Sequence, residues 1–168
     1  YILKLDKIFP SNLKNLKELY LNYNDISSID RDVFENLNSL EKLDLRENQI
    51  KKIDNSKTFD SLSNSLTILR ISHFEFDSES LWHYITMIKN LTELDISICG
   101  LKNIAFMPKL NILKLENNNI NDISDNSFSI SLNQISLYKN DLTRIKASYF
   151  RELNNLVILN LGANKIEF

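Results

Sequence analysis

One phrase recurs seven times along the chain, clearest as LKELYLNYNDI from Leu16, LEKLDLRENQI from Leu40, LNILKLENNNI from Leu110 and LNQISLYKNDL from Leu132. Its heads fall at Leu16, Leu40, Leu66, Leu91, Leu110, Leu132 and Leu156, in steps of 24, 26, 25, 19, 22 and 24 residues. The centre of the phrase, xLxLx, alternates strictly, as a strand with one buried face does. Consecutive strands joined by arms of a dozen or more residues must run parallel, and such crossovers are right-handed. One unit cannot bury its apolar face alone, whereas a stack of units can. The repetition therefore predicts an α/β fold class: a right-handed, curved solenoid with one parallel β-sheet on its concave face and mostly irregular convex arms.

Position by position the phrase has a physical reading. Leu19 and Leu21, with Leu43 and Leu45, Leu69 and Ile71, Leu94 and Ile96, Leu113 and Leu115, Ile135 and Leu137, and Leu159 and Leu161, point inward and stack on the next coil. After each strand the chain turns away from the sheet, and its buried backbone groups need partners there. Asn24, Asn48, Asn118, Asn140 and Asn164 occupy that corner, where an amide can both donate and accept. The third and fourth units carry Phe74 and Cys99 there instead, and Phe74 predicts a less regular turn. In the arms, Ile29, Ile53, Ile123 and Ile145 follow three residues after the Ile or Leu beyond the corner, and Phe34, Phe59, Phe128 and Phe150 lie 18 or 19 residues after their heads. Between the third and fourth strands, Leu81, Ile85 and Ile88 have helical spacing, which predicts one short convex helix near 78–89.

On these residues the chain resembles the leucine-rich repeat family over nearly its whole length. The arm IDRDVFENLNSLEKLDL is similar to the "typical" class found in Toll-like receptor ectodomains and Slit-like proteins. The shorter fourth unit, LTELDISICGLKNIAFMPK, lacks the Phe step and is more like the compact repeats of intracellular relatives. The resemblance implies a non-enzymatic recognition scaffold that binds a protein or peptide through its concave face, in a cell-surface receptor or a secreted immune or adhesion protein. Two alternatives stand beside it: an intracellular adaptor or regulatory subunit, and a matrix protein that associates with itself through a flank or its convex side.

A single domain over 1–168 is expected, with about seven repeats and a partial repeat at 1–15, because only two Gly and two Pro interrupt the chain. YILKL places Leu3 and Leu5 at strand positions of a preceding unit. The chain ends within its seventh unit and shows no cysteine-rich cap, so it reads as a fragment of a longer protein. Net charge is −2 with mixed signs, which argues against a nucleic-acid partner. No apolar run approaches the roughly 20 residues that span a bilayer, so this segment is not expected to contact membrane. Secretory or cell-surface localisation is expected, with the cytoplasm as the alternative. His73 and His83 fall on opposite sides of the coil, no Gly-rich phosphate loop or nucleophile elbow occurs, and neither a metal, a cofactor nor a catalytic residue is expected. Cys99 reads as a structural core thiol. Asn90-Leu91-Thr92 is the sole Asn-x-Thr acceptor sequence, which makes Asn90 a candidate glycosylation site.

The residues free to act are the outward positions of the strands and their exits. The candidate partner-binding set is Tyr20, Asp44, Arg46, Ile68, Arg70, His73, Asp95, Ile98, Ile112, Lys114, Glu116 and Tyr138. The row Asp44, Arg70, Asp95, Lys114 invites two readings: neighbouring charges pairing with one another across the sheet, or a charged ladder offered to a ligand. Ile68, His73, Ile98 and Ile112 are expected to form an apolar patch beside it. Tyr20, Tyr23 and Tyr138 are further anchors, since Tyr is favoured at binding hot spots.

Overall fold

The computed structural model describes residues 4–6, 8–54 and 57–167. In chain order its elements are β1 (Lys4–Leu5), β2 (Glu18–Tyr20), β3 (Ser28–Ile29), β4 (Lys42–Leu45), β5 (Lys52–Ile53), β6 (Ile68–Ser72), α1 (Ser78–Thr86), β7 (Glu93–Ser97), β8 (Ile112–Lys114), β9 (Gln134–Ser136) and β10 (Ile158–Asn160). Short 3-10 turns occupy Ser11–Leu13, Asp60–Leu62 and Ala147–Phe150 in the arms.

The main sheet is parallel, with the strands in the order β2-β4-β6-β7-β8-β9-β10. Its register is set by one leucine position: Leu19, Leu43, Leu69, Leu94, Leu113, Ile135 and Leu159 stand opposite one another along the row. The central members are buried and Leu159 at the last strand is 39% exposed, as expected where each coil is covered only by its neighbours. A second set of inward residues, Ile29, Ile53 and Ile123 with Phe34, Phe59 and Phe128, fills the space behind the sheet. The rings of Phe34 and Phe59 stack at 5.8 Å, and those of Phe128 and Phe150 at 5.9 Å.

The arms also hold a second, three-stranded parallel sheet, β1-β3-β5. It pairs Leu5 with Ile29 and Ile29 with Ile53, which corrects the expectation for the opening segment. Leu5 is an arm residue, one 24-residue step before Ile29, and not a concave strand position. Leu3, given the same role, lies outside the described residues.

The corner shows why Asn is repeated. Asn118 accepts from the backbone N–H of Cys99 at 3.0 Å and of Leu101 at 3.1 Å, and donates to the carbonyls of Ile96 at 2.8 Å and Leu115 at 3.0 Å. Asn48, Asn140 and Asn164 repeat this bridge between coils, reaching Ile26, Ile120 and Leu142. The residue before each corner is left-handed: φ is 57° at Tyr23, 54° at Glu47, 58° at His73, 59° at Ile98, 53° at Asn117, 56° at Lys139 and 54° at Ala163. The turn at Phe74 is therefore as regular as the others, contrary to expectation. Its geometry is held by backbone bonding between coils, His73 N–H to Ile98 carbonyl at 3.0 Å, while Phe74 fills the interior.

Helix α1 starts at a cap: the Asp77 carboxylate accepts from the Ser80 N–H at 2.9 Å. It buries Leu81, Trp82 and Ile85, and the Trp82 indole N–H donates to the Asn103 carbonyl of the following arm at 3.1 Å. The helix ends at Thr86, three residues short of the expected 89, yet Ile88 is still buried by the turn that follows.

Candidate functional site

The seven strands of the main sheet, about 4.8 Å apart, present a surface roughly 29 Å wide. Tyr20 on β2 is 52% exposed, its hydroxyl bonded to Glu18, with the Lys42 ammonium 4.9 Å above its ring. Tyr23 beyond it is the most exposed aromatic on this side, at 73%. Tyr23, Glu47 and His73 border a shallow depression of about 420 Å³ at the strand exits.

The charges are arranged differently from the expected ladder. Asp44, Arg70, Asp95 and Lys114 do stand in register on adjacent strands. Their ion pairs run elsewhere. Asp44 binds the guanidinium of Arg46, two residues on in its own chain, at 2.7 and 3.0 Å. Arg70 turns to Glu93, at 2.6 and 2.9 Å. A long arginine reaches the diagonal neighbour as readily as the direct one, so register alone does not choose the partner. Asp44 and Asp95 are buried, so they orient Arg46 from below and are not themselves contact surface. Arg46 lies 3.8 Å from Asp95, whose other oxygen accepts from the Ser97 hydroxyl at 2.6 Å. Burial holds the Asp95 carboxyl above its ordinary range, against the opposing pull of Ser97, Arg46 and Lys114. Glu116 accepts from the buried Ser136 hydroxyl at 2.8 Å.

The expected apolar patch is two features. Ile68 and Ile112 sit at the strand starts, both opposite Glu93, which lies between them. His73 and Ile98 sit at the exits, five residues further along, a separation of roughly 16 Å for extended chain. His73 Nδ1 lies 3.2 Å from the Ser72 hydroxyl and 3.7 Å from Glu47. Ile98 is 40% exposed and Tyr138 41%. The Tyr138 ring rests over Gly162, where an added Cβ would approach it to 3.2 Å. That glycine has no left-handed φ, so the missing side chain serves the ring rather than the turn.

Glu93, Ser97 and Gly162 are the residues that sequence reasoning left out of the site. The register was the available signal for Glu93, one row before Asp95 and within reach of Arg70. Nothing in the pattern marks Gly162 as a seat. Cys99 is buried, its thiol pushed up to about 12 by desolvation, which suits a core residue and not a nucleophile. Among the described residues no group of three or more His, Cys, Asp and Glu side chains is placed to hold a metal. No described helix is long and apolar enough to cross a membrane.

A parallel-sheet solenoid with in-register leucines, bridging corner asparagines and a charged, aromatic-bearing open face defines a class of repeat protein. The chain carries leucine-rich repeats and resembles the extracellular members of that family. A leucine-rich repeat family model matches residues 1–50 and 14–76. Lumican of Rattus norvegicus is 32% identical over 167 residues, covering 96% of this chain and 47% of lumican. The chain thus spans about half the length of that curated relative. Among solved structures, the Toll–Spatzle complex, described as a molecular hub in Drosophila development and innate immunity, superposes with a TM-score of 0.63 at 19% identity, over 95% of this chain and 29% of that one. At that identity the likeness speaks for the fold.

Proposed function

We propose that the concave face binds a protein or peptide partner, within a secreted or cell-surface recognition protein. One observation carries this reading. Ile98 is β-branched, left-handed at φ 59° and 40% exposed, so its backbone is strained while its side chain packs only in part. The corner imposes this φ on every coil, at a cost of about 1–3 kcal/mol, so what singles out Ile98 is an exposed apolar, β-branched side chain kept at the strained position. The equivalent Asn117 shows that a residue better suited to this turn fits the same coil. Elsewhere on the same face, Arg46 and Arg70 are fixed by carboxylates before any partner arrives, which lowers the ordering entropy of binding. Tyr138, seated on Gly162, is a second pre-positioned anchor.

The test is a titration of a partner recovered by the wild-type chain. Arg70→Ala is a poor probe, because it strands Glu93, a carboxylate only 15% exposed. The paired variant Ile98→Asn with Tyr138→Ser leaves those ion pairs intact. It is expected to weaken binding at least about tenfold, or 1.4 kcal/mol, with no loss of stability. Unchanged affinity removes the concave exits from consideration.

A further inference from the structure

We propose that Asn90 carries an N-linked glycan whose first sugar lies against the exposed ring of Phe106. Asn90 closes the turn that precedes β7 and, with Thr92, forms an acceptor sequence. Its Nδ2 donates to the Asn64 carbonyl at 2.8 Å, and its Oδ1 accepts from the Lys109 ammonium at 2.6 Å, both near the surface. An amide nitrogen carries two hydrogens, and this bond uses one. Glycosylation forms a bond from Nδ2 to the sugar C1, while the C1–oxygen bond to a lipid-pyrophosphate donor breaks, the pyrophosphate leaves and one Nδ2 proton is lost. The glycosylated amide keeps the N–H anti to Oδ1 to serve the Asn64 carbonyl, and Oδ1 keeps its lone pairs for Lys109. The modification therefore leaves one donor and one acceptor for the two contacts that hold this flank.

The surroundings supply a second observation. A groove of about 140 Å³ opens beside Asn90, bounded by its neighbours Lys89 and Leu91, by Lys109, and by Phe106. Phe106 is 54% exposed and Met87, one coil back, 43% exposed. Of the two, Phe106 lines the groove and offers its ring to an occupant there. A pyranose offers a C–H face that matches the negative face of an aromatic ring, and its hydroxyls suit the two lysines. A glycan seated there also closes this flank to lateral association of copies.

The proposal presumes the secretory passage in the function proposed above. For the test, the chain is secreted from a eukaryotic host behind a cleavable signal peptide, as wild type, Asn90→Gln and Thr92→Val. The expected result is extra mass on the wild type that peptide-N-glycosidase removes and that both variants lack. Hydroxyl-radical oxidation of Phe106 is expected to be several-fold slower in the glycosylated chain than in Thr92→Val. Folded, secreted protein without enzyme-sensitive mass overturns the acceptor site. Equal oxidation of Phe106 in the two forms overturns the sugar contact. Because the host supplies the secretory route, either failure counts against Asn90 and not against the concave-face reading.

Discussion

Replacing Asn118 by Ala tests how the coils are joined. The side chain satisfies two buried donors, the N–H groups of Cys99 and Leu101, and two carbonyls, those of Ile96 and Leu115. Leu115 keeps a donor in Asn140 at 2.9 Å, so its loss is minor. An orphaned buried donor is worth about 1–3 kcal/mol, so two give about 2–6 kcal/mol, and about 3–5 kcal/mol is expected after partial relaxation. Asn155 is the control, since it is exposed and its side-chain amide donates to a single carbonyl, that of Ile130 at 3.3 Å. Asn155→Ala is expected to cost less than about 1 kcal/mol. Urea unfolding at 25 °C, followed by two probes because repeat arrays can open in parts, gives both differences from the midpoints. If Asn118→Ala falls within about 1 kcal/mol of Asn155→Ala, the corner amides do not bridge the coils as described.

Three further outcomes follow from the core and the concave face. Leu69→Ala, at a fully buried central position of the leucine row, is expected to cost about 2–5 kcal/mol in the same assay, more than Leu159→Ala at the 39% exposed last strand. Cys99 should resist an aromatic disulfide reagent at pH 8 in the native chain and react fully in denaturant, since its thiol is buried and pushed up to about 12. Asp95 is held above its ordinary value of 3.8, so the folded chain binds its proton more tightly than the unfolded chain. Its contribution is complete below that value and is lost as pH rises through the folded value. Asp95→Asn is therefore expected to flatten the stability profile between pH 4 and 7, read from urea midpoints across that range.

Most of the fold was legible because a single strict period runs through it. The inward leucines, the corner amides and the strand register all follow from the alternation in the repeated phrase. What escaped was local. β1, β3 and β5 are two residues each, too short to leave an alternation, so Leu5 was placed on the wrong side of the coil. The end of α1 was missed because Ile88 is buried by a turn as well as it would be by a helix. At the candidate site, the outward rows were readable as positions but not as partners. Arg70 has Asp95 beside it and Glu93 on the diagonal, and only side-chain geometry selects Glu93. Ile68 and Ile98 are alike in chemistry but stand at opposite ends of adjacent strands, in rows five residues or roughly 16 Å apart, a separation that the positions alone do carry.

The central claim is that recognition happens on the concave face, and side-chain footprinting of the bound complex tests it most directly. Hydroxyl-radical oxidation would be compared with and without partner at Tyr20, Tyr23, Ile98 and Tyr138 on the concave side, and at Tyr84 on the convex helix. The account predicts protection of Ile98 and Tyr138, and no change at Tyr84. Protection confined to Tyr84, with the concave residues oxidised as in the free chain, would contradict it.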